Sequence, residues 1–443
     1  MSRYTAITDG DLGEMLATIG VASLDELFAD VPAGLRLERP LALEDGLSEQ
    51  EVYAELAALA QRNLSTAEQI TFLGAGMYDS YVPALVDAIT SRAEFLTPYT
   101  PYQPEVSQGG LQAMFEYQTA ICELTGLPVS NASVYEGPSA VAAAGYLAKL
   151  HNGRGRFLVS AGVHPHAIET LATLARGWGM AVDVVDLRDG ATTAEALRET
   201  GLGEDVSAVI VGQPNFLGAV ERLEPLVDAA HGVGALAVCA ADPVSLGLLE
   251  APGAQGVDVV VGEGQTLGNH LDYGGPSFGF FAVTEELIRR LPGRLAGQTR
   301  DSEGKLGYVL TLQTREQHIR REKATSNICT SQALNALAGV VYLSWLGRRG
   351  LVELAELLAQ RTAYARERLA AIPRVTLVHR QPVLREFAIR IHGDLDAVLA
   401  HCREAGVNPG YRYAPDCLLV AITEKRTRTQ IDMLADTIAE ALA

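Results

Sequence analysis

The sequence predicts an α/β protein, with a large domain built on a mostly parallel sheet and a smaller C-terminal α+β domain. Between residues 66 and 329, short apolar runs alternate with segments long enough to form helices. The runs are continuous stretches of Val, Ile and Ala, which is typical of strands buried on both faces. Such strand–helix–strand alternation implies parallel pairing with right-handed crossovers. From residue 330, two long helical stretches precede further strands, which indicates a separate domain.

The predicted elements follow in chain order. Residues 1–65 are expected to form a helical arm, in which Ser48 and Glu51 give a capping-box signal. Strands of the large domain are predicted at Arg156–Ser160, Ala181–Val185, Ala208–Val211, Leu236–Cys239, Val257–Val261 and Phe278–Val283. Its helices are predicted at Val141–Leu150, His166–Trp178, Thr193–Thr200 and Leu223–His231. Residues 330–443 are expected to contain helices Ser331–Gly347, Val352–Ala371, Leu395–Glu404 and Thr429–Ala441, and strands Val375–Val378, Glu386–Ile391 and Leu418–Ile422.

Composition limits the classes of function. With 54 acidic and 35 basic residues, the formal net charge is −19, which argues against a nucleic-acid partner because phosphate binding needs clustered Lys and Arg. The five cysteines are scattered and no Cys/His cluster has metal-ligand spacing, so we expect no metal site and reduced core cysteines. No segment reads as a signal peptide or is long enough to span a bilayer. We therefore expect a soluble, cytoplasmic protein without a membrane partner.

A large parallel domain followed by a smaller one occurs in several enzyme superfamilies. One is the aspartate-aminotransferase-like fold, or fold type I, which binds pyridoxal 5'-phosphate (PLP). Four features recur there in chain order. A helix start made of small residues holds the phosphate, a ring stacks on the pyridine, an Asp pairs with the pyridinium nitrogen, and a Lys forms a Schiff base.

Candidates for the first three features occur in that order. Gly137 and Ser139 lie at a helix start that could hold a phosphate, although a plain helix start with Pro gives the same pattern. His164 and His166 follow a predicted strand and could stack on a ring, but a loop His is as often structural. Asp242 follows another strand and would keep the pyridine nitrogen protonated, although Asp is also common there as a turn residue.

The fourth feature is missing. The expected position lies near Gln265 and Thr266 and holds no Lys; Lys149 comes before the strands, and Lys305 lies 40 residues after Gln265. Without an amine at this position, the chain cannot form a Schiff base with PLP there.

Three long, irregular segments carry a family resemblance: Thr97–Gly109, Gly262–Gly268 with Gly274–Pro276, and Leu312–Thr330. They resemble glycine decarboxylase, the P protein of the glycine cleavage system, and the similarity continues to Thr423–Arg426. Some members of this family are one chain with two similar halves, and others divide the halves between two polypeptides. This sequence resembles the N-terminal half, subunit 1, in which Gln265 and Thr266 fall where the other half has its cofactor lysine.

The resemblance implies a partner and a reaction. PLP is expected covalently on the lysine-bearing subunit 2, in an assembly with two copies of each subunit. Glycine would lose CO2 there, and its aminomethyl group would pass to the lipoyl arm of the H protein.

The resemblance also suggests residues that contact substrate or line its channel. They are Tyr99, Tyr102, Glu105, Ser107, Arg315 and Arg320. Tyr hydroxyls can donate to carboxylates, and Arg can hold a carboxylate bidentately. A loop packed under the subunit interface, or a solvated basic helix face, would give the same pattern. Gly137, Ser139, His164, His166 and Asp242 are expected to form an ancestral cofactor pocket that is vestigial without the lysine.

Two other functions remain open from the residues alone. The first is a self-sufficient PLP-dependent decarboxylase or aminotransferase that uses Lys149, Lys305 or Lys323, all of which are poorly placed. The second is a non-catalytic scaffolding subunit that binds a partner without lining any active site.

Overall fold

The computed structural model describes residues 6–324, 326, 328 and 331–443. In the family-like segment Leu312–Thr330, the residues Thr325, Asn327, Cys329 and Thr330 lie outside this part of the chain. The chain falls into two compact units, Met1–Leu64 and Ser65–Ala443. The further boundary expected between residues 329 and 330 falls inside the second unit and stays a prediction.

Within its described residues, 6–64, the first unit contains two helices, α1 (Asp9–Ile19) and α2 (Glu49–Ala60), and the 3-10 turns Leu24–Phe28 and Ala33–Leu35. Both helices begin at capping boxes, and the box of α2 is the predicted pair of Ser48 and Glu51. None of the described residues from 6 to 64 is buried. This unit therefore has helices but no core of its own.

The described part of the second unit contains both strands and helices. Its strands are β1 (Ile70–Thr71), β2 (Val129–Ser130), β3 (Arg156–Ser160), β4 (Ala181–Val185), β5 (Val206–Gln213), β6 (Leu236–Ala241), β7 (Val259–Glu263), β8 (Gly279–Val283), β9 (Leu295–Arg300), β10 (Leu306–Thr311), β11 (Val375–Leu377), β12 (Glu386–Ile391), β13 (Val407–Asn408), β14 (Tyr411–Ala414) and β15 (Cys417–Ala421). Its helices are α3 (Ala84–Thr90), α4 (Ala93–Leu96), α5 (Gln108–Thr125), α6 (Gly137–Asn152), α7 (Pro165–Trp178), α8 (Ala194–Glu199), α9 (Leu223–Gly232), α10 (Gln317–Arg320), α11 (Ala333–Ala370), α12 (Leu395–Glu404) and α13 (Arg428–Leu442). Turns of 3-10 helix lie at Pro104–Val106, Ser245–Gly247, Pro252–Gln255, Glu285–Arg290, Gln313–Arg315 and Arg321–Lys323.

A seven-stranded sheet forms the centre of this unit, in the order β2-β8-β7-β6-β5-β3-β4. The strands from β4 to β7 pair in parallel, whereas β8 is antiparallel to both of its neighbours. The mostly parallel sheet predicted from the sequence is confirmed. Every residue of β5 and of β8 is buried, as expected for strands covered on both faces.

Helices cover the two faces of this sheet. On one face, Leu158 of β3 packs in the same core as Tyr117 of α5 and Leu337 of α11. On the other face, the neighbouring Phe157 shares a core with Leu171 of α7. Successive strand residues thus enter opposite cores, because side chains alternate across a sheet. In this described part of the chain, no helix is both long and apolar enough to cross a membrane.

A four-stranded antiparallel sheet, in the order β11-β12-β15-β14, has its own core with α12, α13 and the last turns of α11. The predicted strands of both sheets agree with the observed ones within two residues at each end. The two helices expected at Ser331–Gly347 and Val352–Ala371 form one element, α11, which is interrupted at Gly347 with φ 63°. The hairpin of β9 and β10 was not predicted, because it lacks a continuous apolar run and half of β9 is exposed.

The two sheets meet at Gly218, which follows β5. Ala219 forms a bridge with Val383, and the N–H of Val220 donates to the carbonyl of Pro382 at 2.9 Å. Gly218 has φ 84°, and a Cβ added there would overlap the carbonyl oxygen of Glu386. The backbones at Gly218 and Glu386 are so close that only the hydrogen of a glycine fits between them.

We predict that Gly218→Ala destabilises the protein more than Gly153→Ala. Both glycines have positive φ, but nothing lies within 4 Å of a Cβ at Gly153. The conformational cost is about 1 kcal/mol at either position, and overlap at Gly218 adds about 2 kcal/mol. Urea unfolding of the two variants measures the difference. Equal losses of unfolding free energy would show that the two sheets can move apart at Gly218 without cost.

Candidate functional site

A cavity of about 910 Å³ opens at the carboxyl ends of the parallel strands. Its lining includes His164 after β3, Asn215 after β5, Asp242 after β6 and Thr266 after β7. In parallel α/β sheets this edge is the usual place for a ligand. Four of the predicted ancestral residues, Gly137, His164, His166 and Asp242, line this cavity, and Ser139 lies one turn into α6 beside it.

At the start of α6, the first N–H groups already have acceptors. The N–H of Gly137 donates to the Glu263 carboxylate at 2.9 Å, and the N–H of Ser139 donates to the Glu136 carboxylate at 2.9 Å. Pro138 between them has no N–H. The donors that the sequence suggested for a phosphate are therefore occupied by two carboxylates of the same chain.

Glu263 is held by two further donors. Its other oxygen accepts from the N–H of Gln265 at 3.1 Å and from the hydroxyl of Ser277 at 2.5 Å. Burial raises the pKa of Glu263, while the hydrogen bonds from Ser277, Gly137 and Gln265 lower it. This carboxylate is thus a fixed part of the cavity wall.

Asp242 pairs with a cation of the chain itself. Its carboxylate lies 2.9 Å from the guanidinium of Arg385, which is 3% exposed, and also accepts from the N–H of Val244 at 3.1 Å. The guanidinium lies 3.9 Å from the centre of the Tyr78 ring. The carboxylate that the sequence assigned to a pyridinium nitrogen is therefore neutralised within the fold.

Glu386, beside Arg385, is a buried carboxylate in the lining of the cavity. It accepts from the Tyr78 hydroxyl at 2.8 Å and from the N–H of Ala75 at 2.7 Å. Burial raises the pKa of Glu386 to about 7 in spite of these bonds and the nearby Arg385. Arg385, Glu386 and Tyr78 were not among the site residues predicted from the sequence. The only signal was the charged pair of Arg385 and Glu386 at the start of an apolar strand.

His164 has both ring nitrogens engaged. Its Nδ1 accepts from the N–H of His166 at 3.1 Å, so the proton is on Nε2, which donates to the carbonyl of Ala75 at 2.7 Å. Burial lowers the pKa of His164, which keeps the ring neutral. Its ring lies edge-on to that of Phe216, with centres 5.2 Å apart.

Gln265, at the position where the sequence analysis expected a lysine, is buried and bonded to the main chain. Its side-chain oxygen accepts from the N–H of Tyr78 at 2.9 Å, and its amide nitrogen donates to the carbonyls of Tyr78 at 3.1 Å and Asn269 at 2.9 Å. No lysine is among the described residues that line the cavity. The ammonium of Lys149 instead donates to the carbonyl of Trp178.

Comparison with known families shows which family the chain belongs to. The family model described as "Glycine cleavage system P-protein" matches residues 2–438. A "Probable glycine dehydrogenase (decarboxylating) subunit 1" from Geotalea uraniireducens is 48% identical over 99% of this chain and 100% of its own length. A relative with the same description from Moorella thermoacetica is 47% identical, with the same coverage of both chains. The chain belongs to the glycine cleavage system P-protein family.

Solved structures agree with membership of the P-protein family. A crystal structure of glycine decarboxylase (P-protein) in inhibitor-bound form is 43% identical, with a TM-score of 0.90 and coverage of 99% of this chain and 100% of that chain. Mouse CSAD is 16% identical, with a TM-score of 0.69 and 90% of each chain covered, and shows the fold alone. The fold is that of the PLP-dependent transferases of fold type I, as the sequence predicted.

The predicted substrate and channel residues lie outside the cavity. Tyr102 accepts from the buried Arg294 at 2.7 Å, and its ring lies 5.3 Å from that of His318. Two of the family-like segments, Thr97–Gly109 and Leu312–Thr330, therefore meet at this place. Tyr99, Glu105 and Arg320 are exposed there, and Ser107 is the N-cap residue that precedes α5.

Arg315 is largely buried and bonded to the main chain, and its suggested place at a substrate stays a prediction. It is 8% exposed, and its guanidinium donates to the carbonyls of Leu291, Gly293 and Leu312. The guanidinium thus ties two main-chain segments together, Leu291–Gly293 and the turn at Leu312. Among the described residues, no cluster of His, Cys, Asp and Glu has the geometry of a metal site.

We predict that Glu386→Gln flattens the pH dependence of stability. Because burial raises the folded-state pKa of Glu386 from 4.5 to about 7, the folded protein keeps a proton that the unfolded chain loses between these values. The resulting stabilisation is present at low pH and is lost as pH rises toward 7. From about pH 5.5 to 7, the unfolding free energy of the native protein should fall by about 2 kcal/mol relative to the variant.

Urea unfolding at several pH values measures this difference. Gln can still accept from Ala75 and contact the Tyr78 hydroxyl, so the variant isolates the charge. Parallel curves for the two proteins would show that Glu386 is ionised throughout.

Proposed function

We propose that this chain is subunit 1 of a two-subunit glycine dehydrogenase (decarboxylating). With a lysine-bearing subunit 2, it would release CO2 from glycine and pass the aminomethyl group to the lipoyl arm of the H protein. PLP, held covalently by the partner, would supply the electron sink for the negative charge left when CO2 leaves. The descriptions of the relatives from Geotalea and Moorella support this assignment.

The observation that carries the proposal is Gln265 in place of a lysine. The cavity has the position and much of the lining of a fold type I cofactor site, but no described residue of its lining is an amine-bearing Lys. Schiff-base chemistry therefore needs an amine from a second chain. The lysines considered from the sequence, Lys149, Lys305 and Lys323, do not line the cavity.

The first unit supports the need for a partner chain. Seventeen of its large apolar side chains are at least 40% exposed, including Leu35 at 79% and Tyr53 at 76%. Exposed apolar surface of this extent marks a protein–protein contact. Residues 1–64 carry twelve acidic and four basic side chains, a net charge of −8, so a neutral or basic surface of subunit 2 fits them best.

One surface region, where two family-like segments meet, suggests how this chain serves its partner. Tyr99, Tyr102, Glu105, Ser107 and Arg320 belong to the region where Thr97–Gly109 meets Leu312–Thr330. We propose that this region faces the active site of subunit 2, in an assembly with two copies of each subunit. Arg294, 3% exposed and bonded to Tyr102, would hold the region in place.

We predict that glycine-dependent CO2 exchange requires both chains. The assay uses lipoylated H protein with this chain alone, with subunit 2 alone, and with the mixture. Only the mixture should exchange CO2. This chain lacks the Schiff-base lysine, and subunit 2 alone lacks the region around Tyr102 that this chain would contribute to the active site. Borohydride reduction should trap PLP on subunit 2.

Exchange by this chain alone, with PLP trapped on it, would contradict the proposal. A mixture that assembles but is no more active than subunit 2 alone would favour the scaffolding function.

We predict that Tyr102→Phe lowers turnover without preventing assembly. Loss of a hydrogen bond to a charged group should reduce kcat/KM by about tenfold to a hundredfold if the hydroxyl orients groups at the partner's site. Tyr146→Phe is the control, because Tyr146 packs on Trp178 in a different part of the fold. Size-exclusion chromatography measures assembly. Unchanged turnover in both variants would show that the Tyr102 hydroxyl has no role at the active site of subunit 2.

A further inference from the structure

At three places around the cavity, polar groups that the sequence suggested for a cofactor are bonded to other groups of the chain. These places are the start of α6, Asp242 and Gln265. We propose that the cavity is closed to PLP and to other phosphate-bearing ligands, because Glu136 and Glu263 occupy the donors that a phosphate would need. The inference deepens the proposed function, in which PLP is held by subunit 2.

The first turn of α6 has no free donor. Gly137 donates to Glu263, Ser139 donates to Glu136, and Pro138 has no N–H. The next N–H, of Ala140, donates to the main-chain carbonyl of Glu136 at 3.0 Å. A helix N-terminus binds phosphate through these free N–H groups. Here a phosphate would have to displace two carboxylates of the chain itself.

Charge opposes such a displacement. The two carboxylates converge on one helix end, where burial and, to a smaller extent, the charge of Glu136 raise the pKa of Glu263. A phosphate in the same place would bring a further negative charge into a partly buried site, where charges are weakly screened. The positive end of the helix dipole is already matched by the carboxylates.

At the pyridine end, the charge of Asp242 is already paired. One oxygen accepts from Arg385 and the other from the N–H of Val244, so a pyridinium would compete with a cation of the chain itself. The guanidinium of Arg385 is stacked on Tyr78, so it cannot leave without exposing a buried ion pair. His164, the candidate stacking ring, is fixed by the carbonyl of Ala75 and the N–H of His166.

The first experiment uses the native chain with two probes, inorganic phosphate and 4'-deoxypyridoxine 5'-phosphate. The second probe has the ring and phosphate of PLP but no aldehyde, so it does not react with surface lysines. Because a ligand that binds only the folded state raises Tm, neither probe should change the Tm of this chain at millimolar concentration. A concentration-dependent rise with either probe would overturn the proposal.

The second experiment removes the two carboxylates. In the double variant Glu136→Ala with Glu263→Ala, two N–H groups of α6 become free, and phosphate should raise Tm by several degrees relative to chloride at equal ionic strength. The control is Asp394→Ala, which removes the carboxylate that caps α12 outside the cavity. A folded double variant without a phosphate-specific rise, or an equal rise in the control, would contradict the proposal.

The third measurement does not depend on the variants folding. In the assembled two-subunit enzyme, PLP released by alkali should amount to one per pair of unlike chains. Two PLP per pair with full glycine turnover would overturn the closure of this cavity and leave the proposed function intact. One PLP per pair without turnover would leave the closure intact and reject the proposed function.

Discussion

The buried ion pair between Asp242 and Arg385 joins the two sheets of the second unit. Asp242 follows β6 of the large sheet, and Arg385 immediately precedes β12 of the small one. A buried ion pair stabilises a fold only when further bonds offset the desolvation of both charges. Here the N–H of Val244 and the ring of Tyr78 supply such contacts. Loss of either charge would leave the other buried alone, at a cost of about 3 to 5 kcal/mol.

Glu386 and Gly218 depend on the same junction. The carboxylate of Glu386 holds Ala75 and Tyr78, while its carbonyl oxygen faces the hydrogen of Gly218. Side chain and main chain of one residue thus fasten the loop before α3 and the end of β5 to the small sheet. In a protein that binds a cofactor between two sheets, contacts with the cofactor can help to hold the sheets together. In this chain, the contacts described here join the two sheets without a cofactor.

Much of the fold could be predicted from the sequence, because buried strands are continuous apolar runs and helices begin at recognisable caps. Strands such as Arg156–Ser160 and Glu386–Ile391 are confirmed at both ends. The hairpin of β9 and β10 could not be found in this way, because exposed strands have no apolar run to mark them. For the site, chain order alone placed Gly137, His164 and Asp242 correctly at one cavity. The bond from Asp242 to Arg385 spans 143 residues, and no local pattern reveals a contact of that length.

The replacement at Gln265 also has an evolutionary consequence. Its amide both accepts from and donates to the main chain of Tyr78. Lysine has three donors and no acceptor, so it could not replace the bond from the N–H of Tyr78. On the proposed function, a lysine placed at residue 265 would still meet Arg385 on Asp242 and two carboxylates at the start of α6. A return of Schiff-base chemistry to this chain would then need several substitutions together, and each chain would depend on the other.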